Sequence, residues 1–283
     1  MRITYLIGIF LCIVYVSCTK TKSIEVKKSS IQQKKTKPIV TEEQEEEKSH
    51  SVLMQEVLDR AISKLKLHLS EDVYKTHYEE IKDSFILAKV NISTGNFFSK
   101  KERHAIVSRS DSGTIHFNIF SVDENKLKEI LHHEQSAITY ISDTIQDING
   151  DQRNDFVING YGSSGCCLKA FSNVYLFQKD SKEFTNIFHF LNPTFSPKEG
   201  VIRGICYGHA GETEMYTYKW NGTAVDTLEF MYFQRNLKGE KTGKIIRSNK
   251  RYHSNEKKVE QVLHTVPKEY RNISGYDWFL GNI

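Results

Sequence analysis

Asp147, Asn149, Asp151 and Asp155 occupy positions 1, 3, 5 and 9 of one nine-residue stretch, DINGDQRND. Carboxylates packed this closely repel one another unless a cation lies between them. Calcium is a hard cation that takes six to eight oxygen ligands in a flexible shell, and alternate positions of a tight loop can all turn inward. Arg153, at position 7, would contribute its backbone carbonyl and turn its side chain outward. An EF-hand would need Glu at position 12 and Gly at position 6, where this chain has Ile158 and Gln152. The spacing therefore predicts a non-EF-hand Ca2+ site formed by Asp147, Asn149, Asp151, Arg153 and Asp155. Magnesium, which demands octahedral geometry and retains water, suits the spacing less. The competing reading is a solvated Asp/Asn turn. With all ligands in one turn, few positions remain for a substrate, so the expected ion is structural.

Other chemistry-bearing groups are sparser. Cys166, Cys167 and Cys206 follow the N-terminal region. In an oxidising compartment one disulfide from Cys206 to Cys166 or Cys167 is expected, leaving one thiol free. A bond between the adjacent pair would be strained, and without CxxC spacing no zinc site is read. GYGSSG places Gly160, Gly162 and Gly165 in a GxGxxG pattern, but β-formers follow where a dinucleotide site needs a helix. Ser163 and Ser164 do not form a G-x-S-x-G elbow. His132-His133-Glu134 lacks HExxH spacing and reads as a solvated face. His209 with Glu212 is a single weak pair, and a Cys206–His209 nucleophile is less favoured than a buried or disulfide-bonded Cys206. Tyr216, Tyr218 and Trp220 alternate, so a strand would put them on one face, as core. No catalytic residue is assigned, and no enzyme is expected.

These residues sit late in a chain of distinct segments. Residues 1–17 have a basic start, an apolar run from Ile3 to Val16 and a small Ser17, as in a signal peptide. The run is shorter than the about 20 residues of a membrane-spanning helix. YVSC resembles a bacterial lipobox, which makes Cys18 the expected lipidation site and a membrane-anchored envelope location the expected address. Tyr15 departs from the usual Leu. Residues 18–50 are Lys-rich, then Glu-rich, with no aromatic residue, and read as a disordered tether. Residues 51–283 read as one β-rich body with an N-terminal helical segment over 51–86. In its first part, Leu53, Val57, Leu58, Ile62 and Leu65 recur at helical spacing; a second helix is expected near 72–85. Short β-branched and aromatic runs with turn signals follow, Asn221-Gly222 being a hairpin signal. The expected fold is mainly β (α+β): antiparallel sheets, partial propeller-like or sandwich-like, with helices at both ends. The formal charge of +4, or +3 without Arg2, is too mild to indicate nucleic acid.

DINGDQRNDFVI resembles the D-x-[DN]-x-D-x-x-x-D-[FL] calcium loops of the FG-GAP and VCBS repeat families of integrin-type β-propellers. Those families carry several such loops, and one is found here. Together with SGCC, VYLF, NPTFSP and YTYKWNG, the region from about 95 to 235 resembles small calcium-loop lipoproteins of the bacterial envelope. Some of that group are immunity proteins that block peptidoglycan hydrolases. The resemblance implies a secreted, calcium-stabilised protein with a protein or glycan partner in the cell envelope, and inhibition of a cell-wall hydrolase as its role. The rival expectations are a glycan-binding or adhesive surface protein and a hydrolase with unidentified catalytic residues.

Overall fold

The computed structural model describes residues 42–82 and 85–282. The expected signal peptide, Cys18 and most of the expected tether lie outside the described residues. The chain is mainly β, with three antiparallel sheets, an N-terminal helix and a short C-terminal helix. Helix α1 spans Glu42–Lys66, so it begins inside the segment expected to be a disordered tether. Glu is a good helix former and its charge suits a helix N-terminus, which turns the acidic run into a first turn. Met54, Val57, Leu58, Ala61 and Leu65 form the buried stripe.

The second helix expected near 72–85 is not formed. Lys75–Lys82 is strand β1, an edge strand paired antiparallel with β2 (Phe85–Gly95). Tyr74, Tyr78 and Ile81 have helix-like spacing, but pairing with β2 imposes period two. Thr76, Tyr78 and Glu80 are half-buried and alternate with the exposed Lys75, His77, Glu79 and Ile81. Local propensity loses here to a cross-strand partner.

The sheets are meanders in chain order. Sheet 1 continues through β3 (Arg103–Ser110), β4 (Thr114–Asp123) and β5 (Lys126–Ser136). Sheet 2 comprises β6 (Tyr140–Gln146), β7 (Asp155–Tyr161), β8 (Ala170–Tyr175) and β9 (Phe188–Leu191). Sheet 3 comprises β10 (Pro193–Ser196), β11 (Val201–Ile205), β12 (Met215–Asn221), β13 (Ala224–Arg235), β14 (Lys241–Ser248) and β15 (Glu260–Leu263). Asn221 pairs with Ala224 across the Gly222-Thr223 turn, the hairpin expected there, with Gly222 at φ +59°.

Among the described residues, four cores order the layers. One joins α1 to Ala88, Val90, Ala105 and Val107 of sheet 1. The opposite face of sheet 1 (Ile106, Phe117, Ile119) meets Phe156 and Ile158 of sheet 2. Val157 and Val174, on the other face of sheet 2, meet Ile202, Tyr216, Trp220 and Phe230 of sheet 3. The outer face of sheet 3 is covered by Val266, Tyr270, Ile273 and Phe279 from the C-terminal segment, which contains helix α2 (Tyr276–Leu280). Sheet 2 is thus buried on both faces. That is why Phe156, Val157 and Ile158 form an unbroken apolar run with no residual exposure instead of alternating. Tyr216 and Trp220 are core, as their spacing suggests.

Candidate functional site

The acidic loop joins β6 to β7. Its second residue, Ile148, is fully buried in the core between sheets 2 and 3, so the loop is pinned from beneath. Around it the polar residues turn onto the loop's own amides. Asp147 Oδ1 accepts from Gly150 N (2.7 Å) and its Oδ2 from Gln152 N (2.8 Å). Asn149 Oδ1 accepts from Asp151 N (3.0 Å), and Asp151 Oδ1 from Arg153 N (2.9 Å). Each oxygen keeps a further lone pair after accepting one N–H.

Asp155 is the deepest member, with no exposed surface. Its Oδ2 accepts from Ile148 N (3.1 Å) and its Oδ1 from Phe177 N (3.0 Å). Burial pushes its carboxyl up to about 7 despite these donors, and the charges of Asp151 and Asp147 push it the same way. Two backbone positions are left-handed: Gly150 (φ +84°) and Gln152 (φ +68°). A Cβ on Gly150 would lie 2.3 Å from the Pro197 carbonyl oxygen, so only glycine fits. Gln152 has no such excuse. A left-handed non-glycine residue costs about 1–2 kcal/mol, and the greater chain entropy of glycine offsets about half of that. Gln152→Gly is therefore expected to raise stability by less than about 1 kcal/mol in chemical denaturation. A destabilised variant would contradict this account of the turn.

The loop lies where the three sheets meet. Asn154 Nδ2 donates to Phe97 O (2.8 Å), in the β2–β3 connection of sheet 1. Asp155 holds the Phe177 amide, just beyond β8 of sheet 2. Gly150 abuts Pro197, in the β10–β11 turn of sheet 3. Beside the loop lies a groove of about 480 Å³ lined by Asn149, Asp151, Gln178, Asp180 and Trp220, among others.

Among the described residues, two groups place three His, Cys or carboxylate ligand atoms within 4.8 Å of one another. They are Cys166, Cys167 and His209, and His116, His132 and Glu134. The carboxylates of Asp147, Asp151 and Asp155 are not such a group. Sequence reading missed both. It placed His132-His133-Glu134 on a solvated face, whereas β5 divides them. His132 and Glu134 are exposed, but His133 is buried and its Nδ1 lies 2.7 Å from Tyr175 Oη. Strand alternation carried that split; the position of buried His116, paired with Glu134 on the neighbouring strand, was not in the sequence.

All three described cysteines are free thiols, and the expected Cys206 disulfide is not formed. Cys206 is buried in the core between sheets 2 and 3, and burial raises its thiol pKa. Cys166 Sγ instead lies 2.8 Å from Cys167 Sγ and 3.9 Å from His209 Nε2. The glycines of GYGSSG also have a packing role: a Cβ on Gly160 would fall 2.2 Å from the Phe171 ring. A larger cavity, about 910 Å³, opens beside Cys206 and His209 and is lined by Glu212, Glu214, Arg251 and Tyr252 among others. Glu214 is buried there and accepts from Tyr252 N (3.0 Å).

The chain matches no protein-family model and no curated protein.

Proposed function

We propose that this chain is a calcium-stabilised, non-enzymatic lipoprotein of the bacterial envelope that binds a macromolecular partner and, through it, inhibits a cell-wall hydrolase. Calcium would be held by the side chains of Asp147, Asn149, Asp151 and Asp155 with the carbonyl of Arg153, after the carboxylates of Asp147 and Asp151 turn inward. The observation that carries this reading is the position of the loop at the junction of all three sheets. An ion there ties together contacts from three layers, a structural role. The donor set fits: hard oxygens at alternate positions, and a buried Asp155 whose ionised form gains from a nearby cation. The FG-GAP/VCBS-like spacing and the lipobox-like YVSC support the same reading.

The groove beside the loop favours a second reading, glycan binding. It combines Asn149, Asp151, Gln178 and Asp180 with Trp220, whose buried Nε1 has no hydrogen-bond partner among the described residues. A pull-down from envelope extract with and without calcium separates the two. Calcium-dependent recovery of a hydrolase supports the first, recovery of polysaccharide the second, and recovery of neither removes both.

The address has its own test. Cys18→Ser is expected to move the protein from the membrane fraction to the soluble fraction. Unchanged membrane partition would remove the lipid anchor from this proposal.

A further inference from the structure

We infer that Cys166, Cys167 and His209 form a binding site for a thiophilic divalent cation, zinc, separate from the acidic loop. The two thiols lie in the loop between β7 and β8, and the imidazole in the loop between β11 and β12. Cys166 and His209 are 43 residues apart along the chain, so only the fold brings the thiols and the imidazole together.

The surrounding structure holds these loops in place. Asn192 Nδ2 donates both to Leu168 O (3.1 Å), one residue beyond Cys167, and to Ile205 O (3.0 Å), at the start of the His209 loop. One side-chain amide therefore clamps the two ligand loops to each other. The 162–169 segment is closed by Gly162 N to Lys169 O (3.0 Å). The His209 loop is held against α2 by Trp278 Nε1 to Gly208 O (2.9 Å) and Gly211 N to Trp278 O (2.8 Å). Such outer contacts orient metal ligands.

The three ligand atoms already lie within 4.8 Å of one another, near the spacing the ion needs. Zinc binds thiolate at about 2.3 Å and imidazole at about 2.0–2.1 Å in a tetrahedron, which puts two sulfurs about 3.8 Å apart and sulfur and nitrogen about 3.6 Å apart. The Cys166–His209 separation of 3.9 Å is already close to that. The sulfurs, at 2.8 Å, must open by about 1 Å. Cys166 is exposed, so its side chain has room to make that adjustment, whereas Cys167 is buried. Two sulfurs and an imidazole are soft to borderline donors, which select zinc over calcium or magnesium.

A second observation concerns charge. Lys169 Nζ is buried with no hydrogen-bond partner among the described residues. It lies 3.2 Å from the position a Cβ on Gly165 would take, immediately before Cys166. A buried ammonium without an acceptor is costly, and its charge favours the deprotonated form of the neighbouring Cys167 sulfur. Binding balances as Zn2+ displacing one proton from each thiol, with no change of oxidation state. The three protein ligands leave the fourth position to water. His209 and Cys166 are exposed, so that position is open to solvent.

The test uses the full chain, untagged, with Cys12→Ser and Cys18→Ser, reduced until three thiols titrate. Zinc chloride is expected to bind at one equivalent by calorimetry and to protect two of the three thiols from a thiol reagent. Cobalt chloride is expected to give a sulfur-to-cobalt charge-transfer band. Losing an outer-shell partner costs about 10–100-fold in metal affinity, so Cys166→Ser and His209→Ala, which remove ligands, are expected to lose about 100-fold or more. Both sites are exposed, and an unchanged circular-dichroism melt confirms folding. Asp147→Ala is expected to keep zinc binding, so failure of the calcium reading and failure of this one are distinguishable. Absence of saturable zinc binding to the reduced protein, unchanged affinity in both variants, or a Cys166–Cys167 bond that resists reduction would each overturn the inference.

Discussion

Calcium raises the melting temperature of the metal-stripped chain, and EDTA reverses the rise: this is the expected result for the loop at 147–155. A ligand that binds only the folded state stabilises it by RT ln(1 + [L]/Kd), about 2.7 kcal/mol at a hundredfold excess over Kd. For a body of this size that is roughly 5–10 °C. Asp147→Ala and Asp151→Ala are expected to abolish the shift, because each removes an anionic oxygen and also a cap on the loop's amides. Without metal these variants lose those caps as well, so the calcium-dependent increment is the quantity to compare. Asn149→Ala removes a neutral oxygen and is expected to reduce the increment less. Arg153→Ala keeps the backbone carbonyl and is expected to preserve it. Calorimetric titration decides the matter. No saturable heat at millimolar calcium would remove the site, and a large loss in Arg153→Ala would remove the ligand assignment.

The parts of this fold legible in the sequence were those fixed by neighbours along the chain. The stripe of α1, the Asn221-Gly222 hairpin and the alternating aromatics of β12 each carry their signal within a dozen residues. That the segment at 147–155 is a turn running into a strand was legible for the same reason, although the sequence did not place it where three sheets meet. Segments whose state depends on a distant partner were misread. β1 is a strand because β2 pairs with it, and Glu42–His50 belongs to a helix continuing into the packed stripe. The approach of His209 to Cys166 depends on the clamp by Asn192 and on the stacking of sheets 2 and 3, which no local spacing encodes. Cys206 was expected to take the disulfide because it was the only described cysteine outside the adjacent pair. It instead lies just beyond β11, in the core between sheets 2 and 3.

Acid is expected to weaken the fold through His104. This β3 residue is buried, with its ring edge-on to Phe98 (5.1 Å between centroids) and Phe177 (5.3 Å). Its Nδ1 has no hydrogen-bond partner among the described residues. Burial lowers its pKa from 6.5 to about 4, and the nearby charge of Glu102 only partly counters this. The unfolded chain therefore takes up a proton near pH 6.5 that the folded chain refuses until about pH 4. The neutral imidazole's contribution is fully present above pH 6.5 and is lost as pH falls through that window, because the unfolded state binds more protons there. At about 1.4 kcal/mol per pH unit, the loss approaches about 3 kcal/mol by pH 4. His116 and His133 are also held below their ordinary values, mainly by burial, and act in the same direction. Asp155 acts oppositely, since its raised pKa makes the folded state the better proton acceptor between its unfolded value and about 7. A comparison that leaves these groups in place isolates His104. His104→Leu is close in volume and cannot titrate, so its unfolding free energy is expected to fall less steeply than the parent's between pH 6.5 and 4. The gap in that fall is expected to be about 3 kcal/mol in urea titrations of metal-stripped protein. Parallel pH profiles for the two proteins would show that His104 is not the group that carries acid sensitivity.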